Sequence, residues 1–188
     1  AFLGLERIRN LVLRRRLTFA EALEVVRSSS LFTTHTPVPA GHDAFPEAMV
    51  RQYLSHYPGE LGIDWAQFIG LGRVDPEDPN EKFSMSVLAC NLSQEVNGVS
   101  WLHGEVSKEI LGNLWPGYFK NELHIGYVTN GVHFPTWTAM RLRRLYARYF
   151  PEGFEGHEYR ISEWKKVYDI PDEDLWRERL VLKEKLVR

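Results

Sequence analysis

Apolar residues at helical spacing dominate the first part of the chain. They recur every three or four positions, which is the period of an amphipathic helix. The apolar positions of the first two predicted helices are Leu5, Ile8 and Leu11 or Val12, followed by Phe19, Leu23 and Val26. Thr18 and Glu21 carry the signature of a capping box, so the second helix should begin at this point.

Further helices are predicted along the middle of the chain. Pro46 should open a helix that closes at Pro58-Gly59. Ser84 should begin another, with Asn97-Gly98 as the turn that ends it. Their apolar stripes are Met49, Val50, Tyr53 and Leu54, and then Met85, Leu88, Leu92 and Val96. Asp64 should cap the short turn WAQFIG.

Three more helices follow from the same kind of pattern. Ser100 should cap a helix that ends at Gly112 and turns Leu102, Val106 and Ile110 inward. A helix with a basic outer face is predicted from Trp137 to Tyr149, and a final charged helix is entered through Ile170-Pro171.

Only two stretches have the composition of strands. LFTTHT at 31–36 is rich in β-branched and aromatic residues, and Ile125, Tyr127 and Val128 precede a turn at Asn130-Gly131. The expected fold is therefore a mostly helical α/β structure. In such folds ligands bind at the carboxyl ends of the strands, which is where His35 falls.

Composition narrows the class of protein. The chain of 188 residues is 44% hydrophobic and has a net charge of −2, so it suits a packed domain without a basic field for nucleic acid. Cys90 is the single cysteine, which fits a reducing, cytoplasmic environment. No apolar run approaches the roughly 20 residues that span a bilayer, so no membrane partner is expected.

The histidines raise the alternative of a metal site. His35, His42 and His103 could act as ligands together with Asp43 and Glu105. Their spacing matches none of the compact ligand motifs, so we expect no metal. There is also no nucleophile elbow and no phosphate-binding glycine loop.

The two strand ends offer similar chemistry. Thr33 to Thr36 and Thr129 to Gly131 each place hydroxyl, amide or imidazole groups at the end of a strand. These groups both donate and accept hydrogen bonds, and they suit a neutral, polyhydroxylated ligand such as a sugar. The alternative is that both stretches are ordinary corners of the fold.

Three ordered blocks carry a resemblance to a known family. They are LFTTHTPVPAGHDAFP, LSQEVNGVSWLHGEVSKEI and TNGVHFPTW. Together they resemble the α-glucan (glycogen, starch and maltodextrin) phosphorylases, most closely the shorter-chain bacterial and archaeal branch. The third block lacks the arginine that precedes tryptophan in the long-chain branch, and no role can be assigned to its Phe134.

The resemblance implies a fold and an organisation. Members are two-domain glycosyltransferases of the GT-B type, built from two Rossmann-like domains. Residues 1–128 should be the carboxyl-terminal part of the amino-terminal domain, and residues 129–188 a crossover segment with helices leading toward the second domain. We expect this chain to be the central fragment of a longer enzyme and to be inactive by itself.

The resemblance also implies an activity, phosphorolysis of terminal α-1,4-glucosyl bonds by inorganic phosphate to give α-glucose 1-phosphate with retention. Pyridoxal phosphate is the cofactor, and the lysine that anchors it lies outside this sequence. The partners are an α-1,4-glucan and phosphate, and a homo-oligomer is compatible with the family. A metal-dependent hydrolase and a non-catalytic glucan-binding module stay open as alternatives.

Site residues follow from the resemblance by position. His35 matches the catalytic-site histidine, whose carbonyl faces the anomeric carbon and whose ring touches the 6-hydroxyl. Thr34 precedes it in the same substrate-binding segment, and Asn130 matches the asparagine that binds sugar hydroxyls. Trp137 matches the tryptophan of the cofactor pocket, whereas Asn97 and His103 should be scaffold residues.

Overall fold

The computed structural model describes residues 1–151, 154 and 156–188. Within them the chain divides into two compact units, Ala1–Asn130 and Gly131–Arg188. The α-helices are α1 (Phe2–Arg15), α2 (Phe19–Ser28), α3 (Glu47–Leu54), α4 (Tyr57–Leu61), α5 (Trp65–Gly70), α6 (Met85–Asn91), α7 (Trp101–Leu111), α8 (Phe134–Trp137), α9 (Met140–Tyr149) and α10 (Asp172–Val187). The strands are β1 (Leu31–Thr33), β2 (Ala44–Phe45), β3 (Phe83–Ser84), β4 (Glu95–Gly98) and β5 (Ile125–Tyr127).

The structure is mostly helical α/β, as the sequence predicts. In the part of the chain that it describes, no helix is both long and apolar enough to cross a membrane. The assignment of residues 1–128 to the amino-terminal GT-B domain, and of residues 129–188 to a crossover segment with helices leading toward the second domain, stays a prediction.

A parallel sheet lies in the first unit. Its strands are ordered β1-β4-β5, and the register pairs Phe32 with Val96 and Val96 with Ile125. The sequence interpretation of this region is wrong, because it assigned Val96 to a helix and Asn97-Gly98 to a turn. Helix α6 ends at Asn91, and the next residues form the central strand. Pairing on both sides outweighs the local helical pattern in so short a strand.

The helices of the first unit enclose a core beside the sheet. The capping box at its second helix is confirmed, since the Thr18 amide donates to Glu21 Oε2 at 2.8 Å and the Glu21 amide donates to Thr18 Oγ1 at 3.3 Å. The largest fully buried side chains of this core are Leu5, Ile8, Val26, Leu61, Phe68, Phe83 and Leu88. The cap at Asp64 is confirmed as well.

The predicted end of the third helix is wrong. Helix α3 ends at Leu54, and Pro58-Gly59 lie within the short helix α4. Proline is tolerated there because the amides of the first helical turn have no partner inside the helix.

Helix α7 begins at Ser100, as predicted, but buries a different face. Its buried residues are His103, Gly104, Ser107 and Leu111, whereas Leu102 is 63% exposed. The prediction counted apolar residues. The structure brings the helix backbone against the sheet, which requires glycine rather than a large side chain at the contact.

The second unit has an aromatic core. Phe134 contacts Tyr146, Phe154 and Trp164, with ring centroids 5.7–6.0 Å apart. The predicted helix from Trp137 to Tyr149 is in fact two helices, because Thr138 and Ala139 are extended between α8 and α9. Entry to α10 through Ile170-Pro171 is confirmed.

Candidate functional site

The candidate site lies at one edge of the parallel sheet. Strands β1, β4 and β5 run in the same direction, so their carboxyl ends meet at this edge. The chain continues from them at Thr34, Val99 and Val128. Two segments that the sequence singled out, around His35 and Asn130, therefore leave the same sheet at the same edge.

Asn97 connects the first two strand ends. Its carbonyl oxygen accepts from the Thr34 amide at 3.0 Å, and its Oδ1 accepts from the Thr33 hydroxyl at 2.8 Å. Its Nδ2 donates to the Gly98 carbonyl at 3.1 Å. Thr34 is only 4% exposed, so its side chain is buried directly after the end of β1. Asn97 thus acts on the position of Thr34, which agrees with a scaffold role.

A compact corner follows His35. The Val38 amide donates to Thr36 Oγ1 at 3.1 Å, and the Gly41 amide donates to the Val38 carbonyl at 2.9 Å. A Cβ at Gly41 would lie 2.1 Å from Thr36 Cγ2, so a larger residue does not fit. The exposed His35 side chain is therefore presented from a tightly folded loop.

His42 braces that corner from the side. Its Nε2 lies 2.9 Å from the Thr36 carbonyl, which can only accept, so Nε2 donates. In the neutral ring Nδ1 is then an acceptor for the Ser86 hydroxyl at 2.7 Å. Both ring nitrogens are used within the protein.

These contacts bear on the metal alternative. Glu105 contacts Lys108 at 2.8 Å and Lys120 at 3.5 Å, and hydrogen bonding to Lys108 holds the pKa of Glu105 below its ordinary value. Among residues 1–151, 154 and 156–188, no group of three or more His, Cys, Asp or Glu side chains is placed to hold a metal ion.

The third strand end is joined to the second through the backbone. The Val128 amide donates to the Gly98 carbonyl at 3.0 Å, and the Asn130 amide donates to the Val99 carbonyl at 3.1 Å. The Asn130 side chain is exposed. The segments that follow β4 and β5 thus stay hydrogen-bonded past the end of β5, and this fixes the backbone of Asn130.

His103 was predicted to be a scaffold residue, and its hydrogen bonds run to the two residues that precede α7. Its Nδ1 accepts from the Val99 amide at 3.2 Å, and its own amide donates to Ser100 Oγ at 3.2 Å. The signal was its place three residues after a helix-capping serine, where a side chain can turn back to the residues before the helix.

Trp137 and Cys90 differ in their exposure to solvent. Trp137 ends α8 in the second unit, and its side chain is 76% exposed. Cys90 lies buried in α6, and burial raises the pKa of its thiol to about 12. A thiol with a raised pKa is a weak nucleophile, because the thiolate is the nucleophilic form.

Comparison with known proteins tests the family. No protein-family model matches the chain. It is 42% identical over 178 residues to glycogen phosphorylase of Aquifex aeolicus (strain VF5), covering 94% of this chain and 25% of the relative. The identity to glycogen phosphorylase of Mycobacterium tuberculosis (strain ATCC 25618 / H37Rv) is 41% over 199 aligned residues, covering 99% of this chain and 22% of the relative.

An archaeal relative gives the same result. Maltodextrin phosphorylase of Thermococcus litoralis is 40% identical over 171 residues, covering 91% of this chain and 20% of the relative. The chain therefore spans about a quarter or less of the length of the curated relatives it matches. Along nearly its whole length it is homologous to a segment of the glycogen and maltodextrin phosphorylases, the family that its sequence motifs predict.

Proposed function

We propose that this chain forms part of the sugar-binding wall of an α-glucan phosphorylase. The observation that carries the proposal is the homology, at about 40% identity over nearly the whole chain, to enzymes named glycogen and maltodextrin phosphorylase. Support comes also from the sheet edge, where His35 and Asn130 follow the ends of the two outer strands, β1 and β5, with exposed polar side chains.

The proposed reaction is phosphorolysis with retention. The bond between the anomeric carbon and the glycosidic oxygen breaks, and an oxygen of inorganic phosphate bonds to the anomeric carbon on the same face. The departing glucan oxygen takes the proton that the attacking phosphate gives up. Positive charge develops at the anomeric carbon, so a fixed dipole aimed at this carbon lowers the barrier.

His35 would supply that dipole. We propose that its backbone carbonyl oxygen faces the anomeric carbon and that its ring binds the 6-hydroxyl of the terminal glucose. The folded corner after it supports this role, because His42 bonds to the Thr36 carbonyl and the Val38 amide bonds to the Thr36 hydroxyl. A carbonyl that is already oriented needs little reorganisation when charge develops.

Asn130 would bind the hydroxyls at the far side of the same sugar. Its side-chain amide has both donors and an acceptor, so it can pair with hydroxyl groups in either sense. Thr34 would act from within the sheet, by holding the backbone of His35, since its own side chain is buried.

Trp137 would form one aromatic wall of a pyridoxal phosphate pocket. Its exposed indole at the end of α8 fits this role, because a free aromatic face can stack on a planar ring. When bound, the cofactor supplies a phosphate group that exchanges a proton with the attacking phosphate. The lysine that anchors it would be contributed from outside this chain, so the 188 residues alone should neither hold the cofactor nor turn over substrate.

Reductive labelling tests that last point. The chain is mixed with pyridoxal phosphate and treated with borohydride, which fixes any lysine imine, and the product is measured by mass spectrometry. We expect sparse labelling spread over several lysines. Stoichiometric labelling of one lysine would show that the chain holds the cofactor by itself.

The activity is tested in the natural polypeptide that contains this chain. It is incubated with maltodextrin and inorganic phosphate, and glucose 1-phosphate is assayed in the wild type, Asn130→Ala and Asn121→Ala. We expect Asn130→Ala to lower kcat/KM roughly 10- to 100-fold, as for a lost hydrogen bond to a bound hydroxyl. Asn121 is exposed and precedes β5, at the other end of the strand, so its variant should behave as wild type.

Other outcomes select the alternatives. Glucose released without any need for phosphate would favour the hydrolase. Saturable glucan binding with no product would favour a binding module. Equal activity of the two asparagine variants and the wild type would remove Asn130 from the sugar site.

A further inference from the structure

His103 is a buried histidine whose tautomer is fixed by its surroundings. The residue is 8% exposed and lies in the first turn of α7. Its Nδ1 is 3.2 Å from the Val99 backbone nitrogen, which can only donate. Nδ1 must therefore accept, and the neutral ring carries its proton on Nε2.

That proton has no use within the described structure. His103 Nε2 is fully buried and has no hydrogen-bond partner among residues 1–151, 154 and 156–188. A buried donor without an acceptor is unfavourable, and an apolar side chain would avoid this. The hydrogen bond of the ring in this part of the fold is therefore the one between Nδ1 and the Val99 amide.

The peptide groups of Val99 connect His103 to the candidate site. The Val99 amide donates to His103, and its carbonyl accepts from the Asn130 amide at 3.1 Å. Strand β5 ends at Tyr127, so this bond lies beyond the regular sheet. The orientation of Val99 thus determines where the backbone of Asn130 is held.

We propose that His103 is a positioning residue for Asn130. Its imidazole fixes the Val99 backbone, which in turn fixes the residue that faces the sugar. The geometric part of this inference depends on hydrogen bonds within the first unit alone. Its effect on turnover rests on the proposed function, so the two parts are tested separately.

The geometric part is tested by amide hydrogen exchange on the 188-residue chain. His103→Asn keeps an acceptor near the position of Nδ1 and removes the Nε2 proton, whereas His103→Leu removes both. We expect His103→Leu to speed exchange of the Val99 and Asn130 amides by about tenfold or more, and His103→Asn to stay within about threefold of wild type. Ser107→Ala is the control, because this hydroxyl is buried on the same face of α7 and bonds to the His103 carbonyl at 2.7 Å instead.

Two results would overturn the geometric part. Unchanged exchange of Val99 and Asn130 in His103→Leu would show that the imidazole does not hold them. Equal losses of amide protection in His103→Asn and His103→Leu would show that the ring contributes only by packing. If His103→Leu fails to fold, His103→Gln replaces it, since its longer side chain places its amide at the Nε2 position.

The catalytic consequence is tested by a double-mutant cycle in the natural polypeptide. If His103 acts through Asn130, His103→Leu should lower kcat/KM for glucan about fivefold or more in the wild type and less than about twofold in Asn130→Ala. Equal reductions in both backgrounds would contradict this coupling. Absence of phosphorolysis in the wild-type polypeptide would instead refute the proposed function, and the exchange result would decide the geometric part by itself.

Discussion

Replacing Gly98 with alanine should destabilise the first unit, because α7 rests directly on β4 at this residue. A Cβ at Gly98 would lie 2.7 Å from the Gly104 nitrogen and 2.9 Å from the His103 carbonyl carbon. Both are backbone atoms of α7, so they cannot turn aside as a side chain would. The helix must move away from the sheet by several tenths of an ångström.

The magnitude follows from two opposing effects. Overfilling a packed contact costs about 1–3 kcal/mol, and a clash with backbone belongs at the upper end. Alanine also restricts the unfolded chain, which stabilises by about 0.4–1 kcal/mol. The net loss is therefore about 2 kcal/mol. For the residues Ala1–Asn130 of the first unit, this lowers Tm by about 7 °C, at about 2.1 cal/mol/K of unfolding entropy per residue.

Gly126→Ala is the matched control. Gly126 lies in the neighbouring strand β5, and a Cβ there meets nothing within 4 Å. This variant should be as stable as wild type or slightly more so. Thermal and urea unfolding of the three proteins are compared by circular dichroism. Equal stability of Gly98→Ala and Gly126→Ala would refute the close contact of α7 with β4.

Three further perturbations test other parts of the structure. Cys90 should react with iodoacetamide at pH 8 about 100-fold more slowly in the native chain than in urea, since burial raises its pKa to about 12; equal rates would contradict its burial. Leu111→Ala should lower the free energy of unfolding in urea by about 2–4 kcal/mol, whereas Leu102→Ala should lower it by less than about 0.5 kcal/mol. The reverse order would show that α7 buries the face with Leu102, as the sequence pattern predicted. Hydrogen bonds from Arg51, Trp65 and Arg73 hold the pKa of Glu47 below its ordinary value of 4.5. The charged carboxylate therefore stabilises the fold above about pH 4.5, and this stabilisation is lost as the pH falls through the lowered pKa. The stability difference between wild type and Glu47→Gln should therefore be largest near pH 6 and shrink toward pH 3. A difference that stays constant with pH would show that the charge of Glu47 does not stabilise the fold.

The local parts of the fold could be predicted from the sequence. The caps at Thr18, Asp64, Ser84 and Ser100 all stand where their side chains suggested, since each needs only an amide three residues on. Strand β1 and its loop were predicted for a similar reason, because β-branched residues and then proline and glycine favour those conformations locally.

The central strand could not be found in this way. Its four residues, Glu95–Gly98, are stabilised by pairing with Phe32 and Ile125, which are distant in sequence. The inward face of α7 was missed for a related reason. Its contact depends on Gly98 and Gly104 meeting across two elements, which no count of apolar residues reveals.

The candidate site was predictable in part. The sequence offered a histidine and an asparagine after two strands as similar groups for a sugar, and the structure puts both strands in one parallel sheet. The place of His103 three residues after the capping Ser100 was a signal for its bond to the Val99 amide, but the strand that ends before Val99 was not predicted. The sequence offered His103 only as a metal ligand or as scaffold.

We propose that this chain belongs to an enzyme that transfers glucose to phosphate. This proposal is tested most directly by phosphorus NMR of the natural polypeptide incubated with maltodextrin and inorganic phosphate. We expect the phosphate signal to fall as that of α-glucose 1-phosphate rises, and we expect this conversion to be strongly slowed in Asn130→Ala. Release of free glucose with the phosphate signal unchanged would contradict it.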